Sequence, residues 1–211
     1  MKWSGEHQAW EILSGLESGD IQTRAHVVFN PHTAAYELTC LGQGIAVSLR
    51  MREITGDSPL GSFLVNELGG YARLSILRYL IHAHEVPLTG RLVRPSDLPG
   101  GDIFSRGTHV LPLDKLAGRF GSNLQGFLNI GRVLGGSQLE YGDASVTLSP
   151  FPRVPVVIIV WSGDTEFQSK ASLLFDSSCV SHLSTDILWS TAMMSLEMML
   201  ISESASNGTG P

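Results

Sequence analysis

Three carboxylates stand close together late in the sequence: Asp164, Glu166 and Asp176. Two carboxylates sharing one pocket can divide general-acid and general-base work, or hold a cation. Asp164 and Glu166 fall in a short Gly-Asp connection between two apolar runs that read as neighbouring strands. Asp176 follows the second run, so pairing would place it about 20 Å from that turn by strand rise. Each acid also has a plain structural use. Gly-Asp suits a tight turn, and an Asp after a strand suits a cap or Asx-turn leading into a helix. His182 follows Asp176 by six residues at the start of the last helical run, and His182 and His109 are both candidate general bases. The candidate site is therefore Asp164, Glu166, Asp176 and His182.

A second candidate is the stretch 86–112, rich in glycine and proline and carrying Leu98-Pro99-Gly100-Gly101-Asp102. It reads as a long structured loop with one short strand, and long ordered loops often carry function. Arg91 and Arg94 can hold a carboxylate or phosphate in a bidentate fork, with Asp102 beside them, so these three form a candidate ligand-binding loop. Surface ion pairing is the plainer use. His82 and His84 are not a metal pair, because residues two apart on a helix point about 200° from one another. Gly42-Gln43-Gly44 lacks the third glycine and the following helix of a dinucleotide fingerprint, and no phosphate-loop lysine motif exists. No metal is expected, and the sequence names no cofactor.

Composition narrows the partners. The 211 residues are 43% hydrophobic and 16% charged, against about 25% charged in average soluble chains. Lys+Arg is 14 and Asp+Glu is 20, a net charge of -6, which argues against nucleic acid. Only Lys2, Lys115 and Lys170 are lysines, so there is no polybasic membrane patch. The longest apolar run, Val154 to Trp161, is far short of the 18 or so residues of a membrane span. Met1 to Trp10 lacks a basic start followed by an apolar run, so no signal peptide is expected. Cys40 and Cys179 are scattered, which suits small buried hydrophobes in a reducing cytoplasm.

Elements that could position these groups follow from periodicity. Ala9, Trp10, Leu13 and Leu16 predict a helix after Ser4, with Gly19 just past its end. Asn30-Pro31-His32 between apolar runs predicts a hairpin, and alternation through Tyr36, Leu38 and Cys40 and again through 45–51 predicts a meander. Ser58-Pro59 starts a helix, Gly69-Gly70 divides the helical stretch in two, and Pro87 ends it. Residues 113–134 read as helical. Val154 to Trp161, apolar at both parities, reads as a central strand buried on both faces, with Lys170 to Phe175 returning beside it. Residues 181–202 form a final Met-rich helix, either buried or in an oligomer interface.

The series Gly142-Asp143, Phe151-Pro152, Val156-Val157-Ile158-Ile159-Val160-Trp161, Gly163-Asp164-x-Glu166-Phe167, Leu174-Phe175-Asp176, His182-Leu183 and Asp186-Ile187 resembles a bacterial and archaeal family of domains of unknown function found largely in anaerobes. Leu98-Pro99-Gly100-Gly101 matches a weaker feature of it. Some relatives resemble fusions to a cysteine-rich, iron–sulfur-like segment, which implies redox or cofactor-handling partners. This chain has no such segment, so no cluster is implied for it. The expected fold is α+β: an antiparallel β-sheet of meander and hairpins with helices packed on one face. Residues 1–202 are expected to form one domain and 203–211 a flexible tail. The expected function is a cytoplasmic small-molecule or cofactor-binding module. The alternatives are a small hydrolase or transferase using Asp164 and Glu166, and a non-catalytic subunit of a homodimer or other oligomer.

Overall fold

A computed structural model describes residues 4–105 and 109–201; the expected tail at 203–211 lies outside them. The N-terminal periodic run forms two helices, α1 at Ser4–Ser14 and α2 at Ser18–Ala25. Gly19 sits in the first turn of α2 rather than past the end of one long helix. Glu6 on α1 holds Arg73 of a later helix at 2.7 Å, which fixes the N-terminal helix on the rest of the chain.

Four short strands follow as a meander: β1 (Val28–Asn30), β2 (Ala35–Cys40), β3 (Gln43–Ser48) and β4 (Glu53–Gly56). Their alternation sorts the side chains. Tyr36, Leu38, Cys40, Ile45, Val47 and Ile54 are buried on one face, while Glu37, Thr39 and Thr55 stay exposed on the other.

The Ser58 hydroxyl accepts the Gly61 N–H and Pro59 occupies the first turn, so α3 (Pro59–Asn66) starts where the sequence predicts. α4 (Gly69–His82) follows directly. From there to Pro112 the described residues hold one strand, β5 (Leu92–Val93), and 3₁₀ turns at 95–97 and 101–105. The predicted helix over 113–134 is two helices, α5 (Leu113–Phe120) and α6 (Leu124–Val133). They part where the Asn123 side chain accepts the Gly126 N–H and restarts the helix.

The last third builds a second antiparallel sheet from β6 (Ser137–Leu139), β7 (Ala144–Phe151), β8 (Val154–Trp161) and β9 (Lys170–Asp176), in the order β5-β9-β8-β7-β6. β8 is central, as predicted. Val154, Val156, Ile158 and Val160 are fully buried on the helix-covered face. Gly131 of α6 sits directly on Val146, the neighbour of Ile158. Val157 and Ile159, on the opposite face, are 5% exposed and lie outside the main core cluster. A 3₁₀ turn over Ser177–Ser181 precedes α7 (Thr185–Met199), which therefore starts four residues later than predicted.

The fold is α+β with every strand pairing antiparallel, and the strands divide between two sheets. One cluster of buried side chains runs from Ala9 to Met199. It includes Met193, Met194, Met198 and Met199, so the methionine stripe of α7 is taken up inside the chain. No described helix is long and apolar enough to cross a membrane.

The turn between β2 and β3 is pinned against the α6–β6 connection. Gly42 has φ +73°, and a Cβ there would lie 2.7 Å from the Leu134 carbonyl carbon and 2.8 Å from the Gly135 nitrogen. Gly42→Ala is expected to cost about 2 kcal/mol or more, from left-handed strain plus displaced backbone. Urea denaturation with an unchanged m-value checks this.

Candidate functional site

The end of α2 decides where a cleft forms. A helix leaves its last four carbonyls without intrahelical partners. Two residues from distant elements supply donors here. Arg153 donates Nη2–H to the Thr23 carbonyl (3.2 Å) and Nε–H to the Arg24 carbonyl (2.7 Å). The Tyr79 hydroxyl donates to the Ala25 carbonyl (2.7 Å) and accepts the Arg153 backbone N–H (3.2 Å). Burial pushes the Tyr79 hydroxyl pKa well up, so it stays a protonated donor at neutral pH. Its ring stacks on Phe151 at 4.6 Å. Arg24 reaches onward to the Ala83 carbonyl (2.9 Å). The β7–β8 turn is thus clamped to α2, and His26 (φ 54°) turns the chain into β1.

Between this clamp and the outer face of the first sheet lies a cleft of about 690 Å³. Its floor is Glu37 and Thr39 of β2, Gly44 and Ala46 of β3 and Thr55 of β4. Register aligns Glu37 with Ala46 and Thr55, and Thr39 with Gly44. His26, Val27 and Val28 stand on one side, with Ser149 and Pro152 also lining it. Asp57 leaves β4 with its N–H on the Gly44 carbonyl (3.0 Å). Its carboxylate occupies room that only a glycine leaves, because a Cβ at Gly44 would be 2.1 Å from Asp57 Oδ2. Glu37 and Asp57 make no side-chain hydrogen bond or ion pair among the described residues. The sequence pattern did not point to this cleft.

The carboxylates singled out from sequence are distributed over two places. Asp164 and Glu166 lie in the β8–β9 connection and line an open hollow of about 530 Å³ with Asp114 of α5. Asp164 Oδ1 accepts the N–H groups of Glu166 (2.8 Å) and Phe167 (2.7 Å), which lower its pKa. That is turn chemistry. Glu166 is exposed.

Asp176 is at the other end of β9 and is only 3% exposed. Its Oδ1 accepts from Thr89 N–H (3.1 Å) and hydroxyl (2.9 Å) and from Ser178 N–H (2.9 Å) and hydroxyl (2.7 Å). Oδ2 accepts the Gly90 N–H (2.7 Å). Burial raises its pKa, but the Ser178 and Thr89 donors outweigh it and hold the carboxyl at about 2. Asp176 is a bracket between the long connection and β9. His182 lies beyond the following 3₁₀ turn, 1% exposed. Its Nδ1 accepts the His84 N–H (3.3 Å), which puts the ring proton on Nε2, where it has no partner. Burial lowers its pKa, Arg153 and His84 lower it further, and Asp176 opposes them.

Asp164 and Glu166 therefore share one place and Asp176 and His182 another, with the length of β9 between the two. Arg91 and Arg94 are exposed on the connection. The backbone of Arg91 accepts from Ser177 N–H (2.8 Å) and donates to the Thr89 hydroxyl (3.1 Å). Asp102 is exposed in the second 3₁₀ turn. His109 packs on Trp189 and accepts its indole N–H at its carbonyl (2.7 Å). Burial pushes the Cys179 thiol up to about 12, so it is no thiolate nucleophile at neutral pH. Among the described residues no group of three His, Cys, Asp or Glu could hold a metal ion.

The sequence model of the family described as Domain of unknown function (DUF3786) matches residues 18–198. The chain belongs to the DUF3786 family. No curated protein and no solved structure matches it. The DUF3786 match takes in α2, the cleft, Tyr79, Arg153, Asp176 and His182, and leaves α1 outside. It thus reaches further toward the N-terminus than the C-terminal motifs alone indicate.

Two outcomes are expected. Tyr79→Phe removes one donor and one acceptor from a buried node, at a cost of about 1–3 kcal/mol in chemical denaturation. Thermal melts against pH should show stability falling in two stages. His182 is held neutral when folded, so the unfolded chain binds its proton more readily and stability drops below pH 6.5. The contribution of Asp176 is present above its ordinary value of 3.8 and is lost as pH falls toward about 2. His182→Gln should flatten the first stage. Asp176→Asn should remove the second and cost about 2 kcal/mol at neutral pH.

Proposed function

We propose that this DUF3786 chain is a small-molecule-binding module and that its site is the cleft over the first sheet. The observation that carries this is the cleft itself. At about 690 Å³ it falls in the size range of small-ligand sites. It combines apolar surface from Val28, Ala46 and Pro152 with a few polar groups from His26, Glu37 and Asp57. A site of that make-up buries a ligand body and orients it through few contacts.

A hydrolase or transferase using Asp164 and Glu166 is less well supported. Asp164 is engaged by two backbone N–H groups, and the hollow beside it is smaller. A subunit role through α7 would need exposed methionines, and Met193, Met194, Met198 and Met199 are buried in the chain. The continuous core from Ala9 to Met199 supports one domain. Two unpaired buried cysteines support a reducing cytoplasm.

Native mass spectrometry of protein purified gently from its own cells tests the reading. The wild type is expected to carry extra mass that is lost on denaturation. Ala46→Trp, which fills the cleft floor from an outward-facing position, is expected to lose that mass while keeping its circular dichroism. Equal bound mass on both proteins, or none on either, overturns it.

A further inference from the structure

We propose that the cleft selects an organic ammonium: a protonated amine on a short apolar body. This rests on the cleft being the binding site. The first argument is the sign of its charge. Glu37 and Asp57 line it, while none of the described lysines and arginines does. Its remaining ionisable group is His26. A carboxylate or phosphate ligand would meet two like charges.

The second argument is that these two acids are uncommitted. Several other acids of the chain have their charge answered by a protein partner. Asp176 has five donor groups, Glu6 has Arg73, Asp20 has Arg24, Glu11 has Arg52 and Asp164 has two N–H groups. Glu37 and Asp57 have none among the described residues. Asp57 is moreover held in place: its own N–H is bonded to Gly44, and its carboxylate lies over the bare Cα of that glycine.

The third argument separates a bare metal ion from an organic cation. No three ligating side chains gather in the cleft, so an ion would lack a ligand set. An ammonium needs only one or two acceptors, which a carboxylate and the Thr39 or Thr55 hydroxyl supply. Its apolar body would cover Val28, which is 60% exposed, and lie against Pro152.

The test uses three probes of one length and three charges: n-hexylamine, n-hexanol and sodium hexanoate at neutral pH. Binding to the full chain is followed by amide chemical-shift mapping and titration. Hexylamine is expected to move the amides of Val28, Thr39, Ala46 and Asp57 and to bind at least about tenfold tighter than hexanol, with hexanoate weakest. Asp57→Asn should weaken hexylamine about tenfold and leave hexanol unchanged, with the melting temperature as a control on folding. Added salt should weaken hexylamine alone. If hexanol matches hexylamine at the cleft, the ammonium preference is overturned and the binding site stands. If none of the three moves a cleft amide, both are overturned.

Discussion

The Tyr79 hydroxyl, buried where α2, α4 and the β7–β8 turn meet, is the contact on which the arrangement of the N-terminal half depends. It donates to Ala25 and accepts from Arg153, and Arg153 then reaches the Thr23 and Arg24 carbonyls. Three of the carbonyls that end α2 are thereby satisfied by two residues remote in sequence. An eight-residue helix is too short to hold itself in water, so its position is set by these bonds and by Ile21 and Ala25 in the core. Because α2 leads straight into β1, the same bonds set the rim of the cleft. Removal of the hydroxyl would thus loosen a surface it does not touch.

The acids divide by how fully the protein answers their charge. A carboxylate out of water costs several kcal/mol unless donors replace the lost hydration. Asp176 is 3% exposed and has five donor groups, and Glu6, 8% exposed, has the Arg73 guanidinium. These acids hold elements together: the long connection onto β9, and α1 onto α4. Glu37 and Asp57 are exposed, so water satisfies them at no such cost, and they remain available to a solute. Asp164 belongs with the first group in its bonding although it is exposed, since two N–H donors fix it in a turn.

Much of the framework could be read from the chain because local signals decided it. The unbroken apolar run at 154–161 could only be an interior strand, and Ser58-Pro59 and Gly69-Gly70 placed helix boundaries correctly. Where the reading slipped, a distant partner had taken over. Pro87 looked like the end of α4, yet the helix stops at His82, where the next backbone groups are bound elsewhere: the Ala83 carbonyl by Arg24 and the His84 N–H by His182. Gly131 is a poor helix former by propensity, and it is the close contact of α6 with Val146. The strand rise that already separates Asp176 from the Asp164 turn in the sequence is what keeps Asp164 and Glu166 apart from Asp176 and His182. The cleft left no signal in any one segment. Its residues come from 26–28, 37–39, 44–46, 55–57, 149 and 152, and each reads alone as the wet face of a strand or as a turn.

How the two sheets meet explains why that wet face is concave. Between Leu148 and Phe151 the pairing of β7 with β8 skips a residue, and Pro150, which has no N–H to offer a ladder, falls in the gap. A bulge bends its strand and increases the twist. The bend delivers the Ser149 carbonyl to the Leu41 N–H at the end of β2 (2.9 Å), a backbone bond between the two sheets. Pro152 then stands at the margin of the first sheet, close to the α2 end that Arg153 holds. The outward residues of β2 and β3 are left open in a trough, with Glu37 and Asp57 along it. The irregularity in the second sheet therefore shapes the surface of the first. A straight β7 would leave the same polar face of the meander flat to solvent, with no wall for a ligand to lie against.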